Sequence, residues 1–102
     1  MFKIYRIIFI FSSLVFLSFQ SYGAEFVLKA AHNGGASHPF DDGYQKFKQI
    51  IETETNGRVE VQIFPGEQLG TEEQVNEMLQ SGTAGLNISG SAALSNWVPE
   101  AE

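Results

Sequence analysis

Two short stretches of the 102-residue chain hold the side chains best suited to meeting a small polar molecule: "AHNGGAS", with His32 and Asn33, and "SGSAA", with Ser89, Gly90 and Ser91. An imidazole beside a carboxamide offers donors and acceptors at one point of the chain, the mixed set that a polar solute needs. Asn33-Gly34-Gly35 is equally good turn chemistry, because asparagine and glycine tolerate positive φ. Ser89 to Ser91 are small enough for a ligand to approach the backbone, or for two elements to pack closely. No nucleophile with a partnered base stands near either stretch, so covalent and acid–base catalysis are not expected. His32, His38 and Asp41 lack the spacing of a tight metal cluster, and His38-Pro39 reads better as the start of a helix, so neither metal nor cofactor is expected.

Those residues need elements to hold them. "EFVLKAA" is a short apolar run closed by turn residues and predicts a strand. From Pro39 the apolar period becomes helical, with Phe40, Tyr44, Phe47 and Ile51 on one face, Ile50 beside them, and Asp41 and Asp42 at the positive end of the dipole. Asn56-Gly57 supplies the stop. "RVEVQIF" alternates, placing Val59, Val61 and Ile63 on one side of a half-wet and therefore edge strand. In "FPGEQLGTEEQ", Pro65-Gly66 turns the chain, Leu69 pins the crossover to the sheet, and Thr71 with Gln74 forms a capping box for a second helix bearing Val75, Met78 and Leu79. Gly82 ends that helix, and "AGLNIS" predicts a third strand.

Strand, helix, strand, helix, strand implies parallel pairing through right-handed crossovers, hence a three-layer α/β sheet. With the half-wet second strand at the edge, the spatial order is 2-1-3. Its switch point lies between strands 1 and 3, whose carboxyl ends carry the two polar stretches. Arg58 opens its strand at the other end and belongs to the surface, while Trp97 is equally suited to a ligand cover and to packing. Asn87-Ile88-Ser89, formally a glycosylation sequon, lies in an expected buried strand.

"MFKIYR" followed by the thirteen-residue apolar run from Ile7 to Phe19 is too short for a membrane span of roughly 20 residues and has the pattern of a secretory signal, cut after Gly23. The 79 residues from Ala24 keep Lys29, Lys46, Lys48 and Arg58 against all twelve carboxylates, for a net charge of −8. Such acidity disfavours nucleic acid and anionic lipid as partners. With no cysteine, stability must come from burial, and no lipid anchor is available at the mature start. The abrupt end at "SNWVPEAE" reads as a truncated chain.

The run "FPGEQLGTEEQVNEMLQSGT", preceded by "TNGRVEVQI" and followed by "LNISGSAALSNWVPE", resembles the DctP-type solute-binding proteins of tripartite ATP-independent periplasmic (TRAP) transporters. The resemblance runs in register from Glu25 to Glu102, and its most specific part is the Phe-Pro-x-x-Gln-Leu-Gly turn. It implies a periplasmic-binding-protein-like lobe, the βαβαβ start of a two-lobed fold, with residues 1–23 as leader and 24–102 as the N-terminal part of the solute-binding domain. It further implies a periplasmic binding protein rather than an enzyme. Such a protein captures a small organic acid, a C4-dicarboxylate or related carboxylate, and delivers it to TRAP membrane subunits for sodium-driven uptake. A binding protein of an ABC importer is the alternative; it shares the lobe but not the Phe-Pro-x-x-Gln-Leu-Gly crossover. Carried over residue by residue, the polar ligand contact after the first strand falls on Asn33 with His32 beside it, and the cleft-lining segment falls on Ser89, Gly90 and Ser91. Sialic-acid-binding members have an acidic residue where this chain has Gly90, so sialic acid is not implied. The arginine that clamps the ligand carboxylate belongs to a later part of the family pattern.

The leader pattern makes a direct prediction. Exported protein begins at Ala24 and is recovered in soluble form, as N-terminal sequencing will show; Met1 retained in a membrane fraction would instead identify an anchor.

Overall fold

The computed structural model describes residues 23–101. The leader assigned to residues 1–23 therefore lies outside the described residues except for Gly23. Strand β1 (Phe26–His32) leads to helix α1 (Pro39–Glu54), strand β2 (Val59–Phe64), helix α2 (Glu72–Ser81) and strand β3 (Leu86–Ile88). A short helix α3 (Ser91–Leu94) and a 3-10 turn (Pro99–Ala101) follow. The sheet has the order β2-β1-β3, and both pairings are parallel. This is the expected α/β lobe with β1 at its centre.

A strand alternates its side chains between two faces, and β1 uses both. Ala30 meets Tyr44 of α1 and Val61 of β2, with Leu28, Phe47, Ile51, Ile63, Leu86 and Ile88 packed around them. Its neighbour Ala31 meets Val75 of α2 and Ala84, with Leu69 and Met78 alongside. Two methyl side chains in succession let both helices approach the centre of the sheet. Leu69 thus packs into the α2 layer, as a pin for the crossover should.

The helix ends follow local chemistry. His38 is the N-cap of α1, its ring accepting the Phe40 N–H at 3.2 Å, and Pro39 occupies the first turn. Asn56 and Gly57 leave the helix with φ of 51° and 75°. The capping box of α2 is complete: Gln74 N–H donates to Thr71 Oγ1 at 3.4 Å and Thr71 N–H to Gln74 Oε1 at 2.9 Å. Gly82 closes α2 at φ 76°. The apolar face of α1 is narrower than its spacing predicts, because Phe40 and Ile50 remain 37% and 47% exposed. Ile50 sits about 100° around the helix from Ile51, at the margin of the contact. Phe40, in the first turn, packs against the ring of His38 at 4.3 Å between centroids, the two planes tilted by 57°.

The outer edge of β2 is not left open at Val61. Its N–H donates to Glu52 Oε1 at 2.9 Å and its carbonyl accepts from Lys48 Nζ at 2.6 Å. The two side chains, one turn apart on α1, are themselves paired at 2.8 Å. An i,i+4 ion pair therefore covers the main-chain groups that an edge strand would otherwise offer to another chain. The Lys48 ammonium first, and the Val61 N–H second, hold the Glu52 carboxyl below the usual glutamate range.

A carboxyl whose folded-state pKa is lowered adds stability that is complete above its unfolded value and is lost as pH falls through the folded value. Thermal melts of the wild-type full chain and of Glu52→Gln should accordingly differ at pH 7, with the variant melting lower. The gap should close as pH drops through the lowered Glu52 range. A gap independent of pH would show that the carboxylate charge plays no part.

Candidate functional site

The parallel register sets His32 opposite Ile88, so the chains leaving β1 and β3 emerge side by side at one end of the sheet. Asn33 follows the first strand and Ser89-Gly90 the third. Helix α2 begins at the same place, and its first residue, Glu72, draws the two ends together. Glu72 Oε1 accepts from the Asn33 carboxamide, while Oε2 accepts from Ser89 Oγ at 3.0 Å and from the Gly90 N–H at 2.8 Å. One carboxylate thus takes three donors from segments that lie 39, 17 and 18 residues away in sequence.

Beneath this hub is a layer of amides. Asn87 Nδ2 donates to Asn76 Oδ1 at 2.9 Å and to the Glu72 carbonyl at 3.3 Å, and Asn76 Nδ2 reaches Ser89 Oγ at 3.5 Å. Asn76 is buried, so these bonds satisfy polar groups that could not otherwise leave water without cost. Glu72 and Gly90 face outward onto a recess of about 470 Å³, which Glu67, Thr71, Glu73, Ala92 and Ala93 complete. Its size is that of a small-molecule pocket. Its charged groups are all carboxylates.

The residues singled out from sequence are distributed as follows. Asn33, Ser89 and Gly90 converge on Glu72. Ser91 is exposed at the start of α3, where its carbonyl accepts from the Ser95 N–H at 3.0 Å. The His32 side chain is fully buried on the opposite face of β1, toward α1. There Nε2 donates to Asp41 Oδ1 at 3.2 Å, since a carboxylate only accepts, and the ring packs against Tyr44 at 5.7 Å and Phe40 at 6.3 Å between centroids. Its Nδ1 is buried with no hydrogen-bond partner among the described residues. Burial in the same cluster pushes the Tyr44 phenol up from its ordinary value.

Arg58 lies at the far end of the sheet, exposed and paired with Glu25 at 3.0 Å. Trp97 rests with Leu94 against Asn76, Leu79 and Gln80 of α2, around a shallow hollow of about 160 Å³. Reading the sequence by motif missed Glu72. In the chain it is one of two glutamates in a helix first turn, a position that helix-dipole preference already explains. The signal that marks it is topological, because the crossover must bring the α2 N-terminus between the ends of β1 and β3.

The family pattern described as "Bacterial extracellular solute-binding protein, family 7" (DctP) matches residues 30–102. A TRAP periplasmic solute binding protein of Roseobacter denitrificans, solved with bound L-galactonate, is similar at 34% identity and a TM-score of 0.73, over 78% of this chain and 26% of its own. One from Haemophilus influenzae with bound L-gulonate is similar at 35% identity and a TM-score of 0.69, over 74% of this chain and 25% of its own. One from Sulfurospirillum deleyianum with bound succinate is similar at 29% identity and a TM-score of 0.70, over 76% and 25%. The chain spans about a quarter of the length of the relatives it matches.

If Glu72 ties the strand ends together, its bonds are energetically coupled to their donors. A double-mutant cycle of Glu72→Ala and Ser89→Ala, read by urea denaturation, should give a coupling of about 1.5 kcal/mol, the low end for a hydrogen bond to a charged group. Simple additivity would show that the contacts do not hold the two elements to each other.

Proposed function

The chain belongs to the family 7 bacterial extracellular solute-binding proteins, the DctP type of TRAP transporters, and on that premise we propose that it forms one bank of a cleft for a small hydroxylated carboxylate. This family and its structural relatives are transport proteins rather than enzymes. An ABC importer finds no support among the relatives, which are TRAP proteins. In our reading the protein is exported, loses residues 1–23, and passes its solute to TRAP membrane subunits.

The observation that carries the choice of solute is the Glu72 carboxylate between Asn33, Ser89 and Gly90. An ionised carboxylate only accepts hydrogen bonds, and it repels another carboxylate brought beside it. Hydroxyl groups suit this bank, whereas a solute's own carboxylate needs a cation from another part of the protein. The carboxylate would therefore point away, and the hydroxylated tail would lie along Asn33, Glu72 and Ser89 to Ser91, with His32 supporting the strand from behind. A C4-dicarboxylate, the finer expectation from sequence, would set one of its two charges against Glu72. Polyhydroxy acids such as the galactonate and gulonate bound by two relatives avoid that conflict.

One bank has no cation to hold the solute, so the isolated chain should show no measurable affinity for organic acids in calorimetric titration. Joining residues 24–102 to the remaining three quarters of the Roseobacter relative should restore binding of L-galactonate, with succinate bound more weakly. Glu72→Gln in that chimera should narrow the preference by about tenfold, a difference of about 1.4 kcal/mol. A chimera that prefers succinate, or a preference indifferent to Glu72→Gln, would overturn the hydroxyl-acceptor reading.

A further inference from the structure

The Phe-Pro-x-x-Gln-Leu-Gly run does more than carry the chain from β2 to α2. The β1–β2 ladder continues as far as Ala31 opposite Phe64, and then meets Pro65, which has no N–H to extend it. The next two residues supply donors instead. Gly66 N–H donates to the Gly34 carbonyl at 2.7 Å, and Glu67 N–H to the His32 carbonyl at 3.2 Å. Those two acceptors flank Asn33.

Both donors are aimed by an unusual backbone. Gly66 and Glu67 have φ of 60° and 61°, so two successive residues take the left-handed conformation. Glycine does so freely, but for glutamate the conformation is uncommon and persists where the surroundings impose it. Here the turn is held between Leu69, packed in the α2 layer, and the β1–α1 loop. On the other side of that loop the buried His32–Asp41 pair fixes the end of β1. The His38 ring leaves no room for a Cβ on Gly34. Asn33 is thus gripped through its neighbours on both sides.

We propose that the Gly66-Glu67 turn is the positioning element for Asn33: its two N–H groups fix the main chain on either side of that residue, so that the carboxamide meets Glu72 and, with it, the solute. The proposal rests on Asn33 being a solute contact for its functional meaning, but not for its geometry. It gives the motif at the sheet edge an effect on Asn33 beyond the place that Glu67 takes in the lining of the recess.

Gly66 and Gly57 form a matched pair for the test. Both have positive φ, at 60° and 75°, and neither has a heavy atom close to the place a Cβ would occupy. A β-branched residue strains either backbone alike, yet only Gly66 donates to the loop. Backbone order at Asn33 and Gly34 should be read in the full chain by 15N relaxation. Gly66→Val should lower the order parameter there from about 0.85 to below about 0.6, whereas Gly57→Val should leave it unchanged with a similar fall in melting temperature. Gly66→Asn, which tolerates positive φ, should restore order, and Glu67→Gly should preserve it. In the chimera, Gly66→Val should weaken L-galactonate binding about tenfold. Unchanged order at Asn33 in Gly66→Val, beside a melting temperature lowered as in Gly57→Val, would overturn the proposal. Lost order with undiminished galactonate affinity would uphold the positioning and remove Asn33 from the solute site.

Discussion

The two-sidedness of β1 decides where everything else must go. Because successive side chains of a strand point to opposite faces, Ala30 and His32 belong to the α1 layer, and Ala31 and Asn33 to the α2 layer. A slip of one residue against β2 would exchange these sets. It would put a histidine where Asn33 now meets Glu72, and a carboxamide against Tyr44 and Phe40. The register is defended on both sides by burial: Ala30, Ala31 and Val61 are nearly inaccessible to water. Position of the polar site is therefore inherited from the apolar core, with one central strand serving both.

The core alone would leave the carboxyl ends of β1 and β3 as two unconnected loops. Glu72 joins them, and the join has a chemical consequence beyond rigidity. Three donors converge on the carboxylate, one of them a main-chain N–H. A charged acceptor held in place at the lip of a recess is complementary to hydroxyl groups and hostile to anions. On the proposed function, the solute preference of this bank would follow from the same bonds that close the fold.

Much of the architecture was legible because local signals and tertiary demands agree. The periods of the two helices, the complete Thr71–Gln74 capping box, the Asn56-Gly57 and Gly82 stops and the half-wet β2 each point to the observed element, and together they imply the observed strand order. The narrowness of the α1 face was not legible, since spacing cannot show how far the sheet extends beneath Phe40 and Ile50. Short α3 was not anticipated either; "SAAL" has no side-chain cap to announce it. In the candidate site, the convergence of Asn33, Ser89 and Gly90 could be read from topology. The side of β1 on which His32 lies could not be separated from that of Asn33 without counting alternation from the core outward. Glu72 was hidden because a glutamate in a first helical turn already has a sufficient local reason to be there.

The edge of the sheet shows how the two ends of β2 are put to different uses. At Val61 the main-chain groups are covered by Lys48 and Glu52 from α1, which removes an invitation to pair with another strand. Four residues later Pro65 ends the ladder, and the chain turns back so that Gly66 and Glu67 donate inward. Both solutions answer the same requirement, that a strand near solvent still has polar groups to satisfy. The first uses charged side chains and leaves the backbone regular. The second uses the backbone itself, in a conformation that a non-glycine residue rarely adopts, and so directs main-chain donors to carbonyls that no side chain supplies. Strain at Glu67 is consistent with that arrangement: the conformation is costly for glutamate, and what it secures lies next to Asn33 rather than at the edge.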